Sequence, residues 1–233
     1  MKQYFVTGTD TEVGKTYVTC QLLRAANNAS LTAIGYKPIA AGCELVNGEW
    51  VNEDALNIQQ ASACANGQTL PINEINPIAL TPPIAPHIAA HEEGVALTHE
   101  KIAEGLNALA AYRPDILLME GAGGWRLPLT IGSDNTPTHY LSDVVKALKM
   151  DVIMVVGMRL GCLNHALLTA EAIRADGLII KGWVANDITG NMTRYQENLR
   201  SLKAMLPEPL LAEIPYQTGI EAGTLLSAIE QLG

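Results

Sequence analysis

Gly8-Thr-Asp-Thr-Glu-Val-Gly14-Lys15-Thr16 decides the reading of this chain. The stretch follows a short apolar run, Tyr4–Thr7, and precedes a helical pattern over Lys15–Asn28. Strand, glycine-rich loop and helix in that order make a Walker A match meaningful. Glycines let the backbone curl until its N–H groups point at phosphate oxygens, and the helix N-terminus adds positive potential. Lys15 is then placed to reach the β and γ phosphates, and the Thr16 hydroxyl to ligate Mg²⁺. Five residues separate the two glycines where the common motif has four.

Outward from the loop, short apolar runs alternate with longer helical patterns. Strands are expected at Tyr4–Thr7, Ala33–Tyr36, Ile116–Met119, Val152–Val156 and Ile179–Val184, with Leu210–Ile214 a weaker sixth. Several are apolar throughout, as suits strands covered on both faces. Helices are expected at Lys15–Asn28, Asp54–Ala65, Glu100–Ala111, Leu141–Leu148, Asn164–Ala175 and Thr193–Met205. Such alternation implies right-handed crossovers and an α/β fold, a mostly parallel sheet flanked by helices. Ligands of such sheets sit beyond the carboxyl ends of the strands. The Pro-rich piece 66–87 and the piece 128–138 read as irregular, and the whole of 1–233 as one P-loop domain.

Composition narrows the function further. The 233 residues are 48% hydrophobic and 17% charged, which excludes disorder. The net charge of −9 disfavours phosphate backbones and anionic membranes as partners. No run approaches the roughly 20 apolar residues of a membrane span, and the start lacks a basic leader. The four cysteines, Cys20, Cys43, Cys64 and Cys162, form no C-x-x-C pair, so a soluble, cytoplasmic protein with reduced thiols is expected.

Three strand ends add candidate chemistry. Ile116-Leu-Leu-Met-Glu120-Gly-Ala-Gly-Gly124 puts an acid where a Walker B carboxylate would sit, though a solvated Glu before a turn reads the same way. Lys37 ends the second strand just before Pro38; alone it reads as a surface lysine. In a parallel sheet, however, it shares a rim with Lys15, and two converging ammonium groups imply a strong anion between them. Asp54 opens a candidate helix, where an N-cap is the plain reading. His87 and His91 share i,i+4 spacing but lack a third ligand, and Glu92, Glu93 and Glu100 read as a solvated face. Trp125 is open between a wall of the site and a structural anchor.

The chain resembles the dethiobiotin synthetase family nearly end to end. The segments that carry the likeness are Gly8–Thr16, Gly35-Tyr-Lys-Pro38, Asp54-Ala-Leu56, Glu120-Gly-Ala-Gly-Gly-Trp125, Leu160-Gly-Cys-Leu-Asn-His165 and Gly182-Trp-Val-Ala-Asn186. The resemblance implies an ATP- and Mg²⁺-dependent ligase that closes a ureido ring from 7,8-diaminononanoate and CO₂. By that likeness Glu12, Val13, Gly14, Lys15, Thr16 and Tyr17 wrap the nucleotide phosphates. Thr16, Asp54 and Glu120 hold Mg²⁺, and Glu120, Gly121, Ala122 and Gly123 border the nucleotide. Lys37 and Lys15 are the catalytic pair, stabilising a carbamate and the transferring phosphoryl group. Asn186 and Asp187 read the base, whose pocket Pro215, Tyr216 and Gln217 line.

By the same likeness Thr11 and Ala41 would face the substrate's amines; the family commonly carries a hydroxyl at the latter position, a difference of about one hydrogen bond, or 1 kcal/mol. Gly161, Cys162, Leu163 and Asn164 precede a helix and would cradle the substrate carboxylate. In the family the partner subunit supplies this cradle, so the resemblance also implies a homodimer. The main rival is a nucleotide-switched ATPase of the ParA or MinD kind. Those carry a lysine after the first loop glycine, where this chain has Thr9, and need a basic or amphipathic surface. A glutamine-dependent amidotransferase half would need a further domain.

Overall fold

The computed structural model describes residues 1–65, 67–133, 137–216 and 222–232, without the side chains of 222–224. Six strands form its main sheet: β1 (Lys2–Gly8), β2 (Ala33–Tyr36), β3 (Ile116–Glu120), β4 (Asp151–Met158), β5 (Ile180–Asp187) and β6 (Leu210–Ile214). Their order is β6-β5-β4-β1-β3-β2 and every pairing is parallel. The α/β class expected from the alternation is therefore the one observed. β1 lies between β3 and β4, where the chain changes the direction in which it adds strands. Such a switch opens a crevice at the carboxyl ends, and the glycine-rich loop leaves β1 there.

Helices α1 (Lys15–Asn28), α2 (Glu53–Ala61), the single turn α3 (Ile72–Ile75), α4 (Pro86–Glu92), α5 (His99–Ala110), α6 (Leu141–Ala147), α7 (Cys162–Ala175), α8 (Tyr195–Met205) and α9 (Ala222–Leu232) complete the order. The core runs along both faces of the sheet, so β3 and β4 are almost wholly apolar and buried.

Local chemistry explains where elements stop. α2 ends at Ala61, four residues before the expected Ala65, because Ser62 turns extended. Its hydroxyl donates to Ile58 O (2.7 Å) and accepts from Gly35 N (2.9 Å), fixing the helix end to β2. α2 also starts one residue early: Asn52, not Asp54, is its N-cap, with Oδ1 accepting from Asp54 N at 3.0 Å. α7 likewise starts at Cys162 behind Gly161 (φ 95°), so Cys162, Leu163 and Asn164 form its first turn and Asn164 is no cap. The piece 66–87 is more ordered than its prolines suggest. It holds α3, the start of α4 at Pro86, and a two-residue strand at Ile78–Ala79 paired with Ile39–Ala40. Within the piece 128–138, Pro128–Thr130 pairs with His139–Tyr140.

Trp125 is an anchor. Buried edge-on to Phe5, it donates from Nε1 to Asp176 Oδ2 (2.8 Å) at the end of α7. Arg126 also bonds Asp176, at 2.7 and 3.1 Å, and together these contacts pin the glycine run 121–124. Burial opposes the Asp176 charge, yet Arg126, Trp125 and Lys146 outweigh it and hold the pKa below the ordinary carboxylate value. That contribution is present above pH ~4 and is lost as pH falls through the lowered folded value. Asp176→Asn is expected to cost about 1–3 kcal/mol at pH 7. Thermal unfolding should show its gap from the parent closing below pH ~4; a gap independent of pH would assign the loss to packing.

Candidate active site

The loop after β1 is built from its backbone. Thr9 N donates to Val155 O (2.9 Å) on β4, and Glu12 (φ 57°) and Gly14 (φ 81°) take left-handed conformations that fold the loop over the start of α1. Gly14 is also tightly approached: a Cβ there would lie 2.2 Å from Asn186 Nδ2. Gly14→Ala therefore strains both the backbone and its neighbour. The variant is expected to weaken nucleotide binding at least tenfold, which calorimetric titration with ADP would read.

Lys15 is buried and donates to Asp10 O at 3.0 Å. Burial, and then the nearby Lys37 ammonium, lower its pKa to about 8. Lys37 is not a surface lysine: it is 4% exposed, at the end of β2. Its backbone is gripped on both sides, with Lys37 N donating to Ile75 O (2.8 Å) and Asn76 Nδ2 to Lys37 O (2.7 Å). Its ammonium binds Glu120 Oε1 directly and Asp54 Oδ2 at 3.2 Å. Burial lowers the Lys37 pKa, but Glu120 and Asp54 more than reverse this and raise it.

Glu120 is no solvated turn residue either, being 0% exposed at the end of β3. Thr16 Oγ1 donates to its Oε1 at 2.8 Å, while Oε2 is buried with no hydrogen-bond partner. Thr16, Glu120 and Asp54 thus gather hard oxygen donors around one point. An orphaned buried carboxylate oxygen is costly unless a cation meets it. The set fits Mg²⁺, which takes one or two carboxylates and keeps several waters. No group of three or more His, Cys, Asp or Glu suited to a metal is found among the described residues, which leaves His87 and His91 without a third ligand.

A cleft of about 970 Å³ opens over this cluster. Thr11, Glu12, Gly14, Lys15, Thr16 and Tyr17 form one side, Lys37, Ala41 and Asp54 another, and Ala122 and Gly123 a third. Gly121 lies beneath, where a Cβ would strike the Phe5 ring at 2.7 Å. Val13 is buried under the loop, and Asn186 Nδ2 donates to its carbonyl at 2.9 Å. One amide hydrogen of Asn186 is thereby committed to the loop, which leaves Oδ1 and the second hydrogen for a ligand.

Asp187 Oδ1 accepts from Thr189 N (3.2 Å) and Gly190 N (2.8 Å), and Tyr216 packs so closely on Gly190 that a Cβ there would lie 2.5 Å from the ring. Asn186, Asp187, Pro215 and Tyr216 thus lie at the ends of β5 and β6, outside the cleft walls; Gln217 lies outside the described residues. Gly161, Cys162, Leu163 and Asn164 are also absent from the cleft walls. Cys162 is buried, its N–H already donating to Arg159 O (3.0 Å).

Sequence reasoning missed several contributors. Asn52, Cys20 and Arg24 line the cleft, and only the i, i+4, i+8 spacing of Thr16, Cys20 and Arg24 on α1 hinted at the latter two. Arg159 pairs with Asp10 of the loop, a contact across 149 residues that no local pattern signals.

Sheet order, loop and buried acid–lysine cluster define a P-loop nucleotide-binding protein, and residues 2–224 match the family model described as an AAA domain. The chain is similar in fold to MinD in the MinC:MinD complex of Aquifex aeolicus (TM-score 0.55, 11% identity, 98% and 86% of the two chains covered). It is likewise similar to a ParA family ATPase from Chlorobium tepidum (TM-score 0.53, 13% identity, 100% and 91% covered). At those identities the likeness is one of fold alone. It is 99% identical over 232 residues, 100% of both chains, to an ATP-dependent dethiobiotin synthetase of Alteromonas mediterranea. It is 46% identical over 216 residues to that of Pseudoalteromonas translucida, covering 93% of this chain and 91% of the relative. The chain belongs to the ATP-dependent dethiobiotin synthetase family.

Proposed function

We propose that this chain makes dethiobiotin from 7,8-diaminononanoate, CO₂ and ATP, in biotin biosynthesis, with its chemistry in the cleft over Lys37. The observation that carries the residue assignment is the convergence of Lys37, Glu120, Thr16 and Asp54 beneath the phosphate loop. One substrate amine adds to CO₂ and loses a proton, giving a carbamate anion. A carbamate oxygen attacks the γ-phosphorus, and ADP leaves. The second amine then attacks the carbonyl of the mixed anhydride, losing a proton and expelling phosphate, which closes the ring.

Lys37, kept protonated by its carboxylate neighbours, meets the carbamate as a cation and not as a base. Lys15 spreads the charge of the transferring phosphoryl group, and an anion between the two ammonium groups relieves their repulsion. Thr16, Glu120 and Asp54 would hold Mg²⁺, which supplies charge neutralisation at the phosphates. Ring closure joins groups of one held molecule, where effective molarities reach about 10⁵–10⁸ M, so little acid–base help is needed.

Glu12 to Tyr17 take the phosphates, Glu120 to Gly123 border the nucleotide, and Asn186, Asp187 and Pro215 to Gln217 take the base. Thr11 and Ala41 face the amines. The carboxylate cradle Gly161–Asn164 belongs to the partner of a homodimer, a reading supported by the apolar surface beside it, Leu160 (95% exposed) and Leu168 (57%). Sedimentation at monomer mass would remove that part. The four cysteines are all free and buried, which favours a reducing cytoplasm, and one continuous core favours one domain. No described helix is long and apolar enough to cross a membrane.

The test is a reaction of purified protein with 7,8-diaminononanoate, bicarbonate, ATP and Mg²⁺, read by mass spectrometry for dethiobiotin and ADP. Product that needs all four components supports the proposal. ADP without diamine and without ring product would point to a switch ATPase.

A further inference from the structure

Asn52 holds two walls of the cleft together through the two ends of one amide. Oδ1 accepts from Asp54 N (3.0 Å) and Ala55 N (3.4 Å), while Nδ2 donates to Ala41 O at 3.0 Å. Those partners fix the amide's orientation, because a flipped group would set donor against donor and acceptor against acceptor. Ala41, Asn52 and Asp54 all border the cleft.

The chain between Ala41 and Asn52 is a hairpin, Glu44–Val46 against Glu49–Val51, paired with no strand of the main sheet. Its pairing brings Glu44 beside Val51, but two strands alone are marginally stable, so the hairpin by itself holds its ends together only weakly. Leu80 N donates to Ala40 O (2.8 Å) and Cys43 N to Leu80 O (2.9 Å), which keeps the neighbouring backbone folded. Ala41 O is the group aimed across at α2.

We infer that Asn52 is a positioning residue that fixes the Ala41 wall relative to Asp54, and so the place of the substrate's amines relative to Lys37. The inference rests on the reading of the cleft given above. Asp54 touches Lys37 directly and Ala41 would face the amines, so Asn52 acts through both without touching either reacting group. Its two bonds are separable in substance. An aspartate caps a helix about as well as an asparagine, but in Asn52→Asp the group facing Ala41 O becomes an acceptor and the bond is lost.

The experiment compares the parent, Asn52→Asp and the uncharged Asn52→Ser under dethiobiotin-forming conditions. In both variants KM for the diamine should rise, about tenfold for Asn52→Asp and severalfold for Asn52→Ser. KM for ATP should stay within twofold and Tm within about 2 °C. A side chain that only stabilised the fold would move Tm and both KM values together, and that result overturns the inference. Unchanged diamine KM in both variants also overturns it. If the parent itself makes no dethiobiotin, the functional reading has failed; if only the variants match the parent, this inference alone has failed.

Discussion

Lys37→Ala is expected to lower kcat for dethiobiotin formation by about 10³-fold, the scale of removing one preorganised charge donor from a water-poor site. The ammonium is buried where the carbamate would meet the phosphoryl group. Lys15 serves the phosphates from the other side and is itself held near pKa 8. Removing Lys37 takes away a charge that depresses Lys15, so ADP affinity should change by less than fivefold.

The sequence alone suggests that this variant folds normally, but the burial of Glu120 changes that. Without Lys37 a carboxylate at 0% exposure loses its counter-ion, a loss of about 3–5 kcal/mol for a buried pair. At 2–4 °C per kcal/mol for a chain this long, Tm should drop by about 10 °C. Turnover must therefore be measured at 25 °C, with folding checked by circular dichroism. Near-normal kcat in a folded variant would remove Lys37 from the chemistry.

How much of this was legible beforehand depended on whether the signal was local. The phosphate loop, α1 and the six strands follow from runs of adjacent residues, and the parallel sheet from their alternation with helices; the order of the strands does not. Lys37 and Glu120 could be placed at strand ends but not shown to touch, since they lie 83 residues apart and meet only because β3 inserts between β1 and β2. The carboxylate neighbours that keep Lys37 cationic, and the burial that leaves Glu120 Oε2 without a partner, are tertiary properties. Asn52 escaped notice because Asp54 reads as the cap of a helix starting there, and because the second bond of Asn52 runs to a carbonyl eleven residues back. Elements inside the Pro-rich piece were hidden for the opposite reason. Pro86 breaks patterns in general, yet at the first position of a helix its missing N–H costs nothing.

Glu120→Gln carries the other large effect, and its signature differs from that of Lys37→Ala. Glutamine keeps an acceptor for Thr16 and Lys37 but puts an amide N–H where the unpartnered Oε2 stood. A donor at that point repels a cation, so the Mg²⁺ concentration for half-maximal rate should rise at least tenfold and kcat fall by about 10²–10³. The substitution also acts on Lys37. In the parent, burial pulls its pKa down and Glu120 is foremost among the groups that pull it up past the ordinary value. With the Glu120 charge gone, Asp54 alone opposes burial, and its side chain is 47% exposed. The Lys37 pKa must fall.

Both lysines act as ammonium groups, and Lys15, held near pKa 8, is the first to lose its proton as pH rises. Glu120 raises the pKa of each, so without its charge the alkaline limb of the kcat profile should move to lower pH. Asp54→Asn should move the same limb less, because Asp54 ranks behind Glu120 among the groups that raise the lysine. A pH profile superimposable on the parent's, with unchanged Mg²⁺ dependence, would separate Glu120 from both the metal and the lysine and leave it a packing residue.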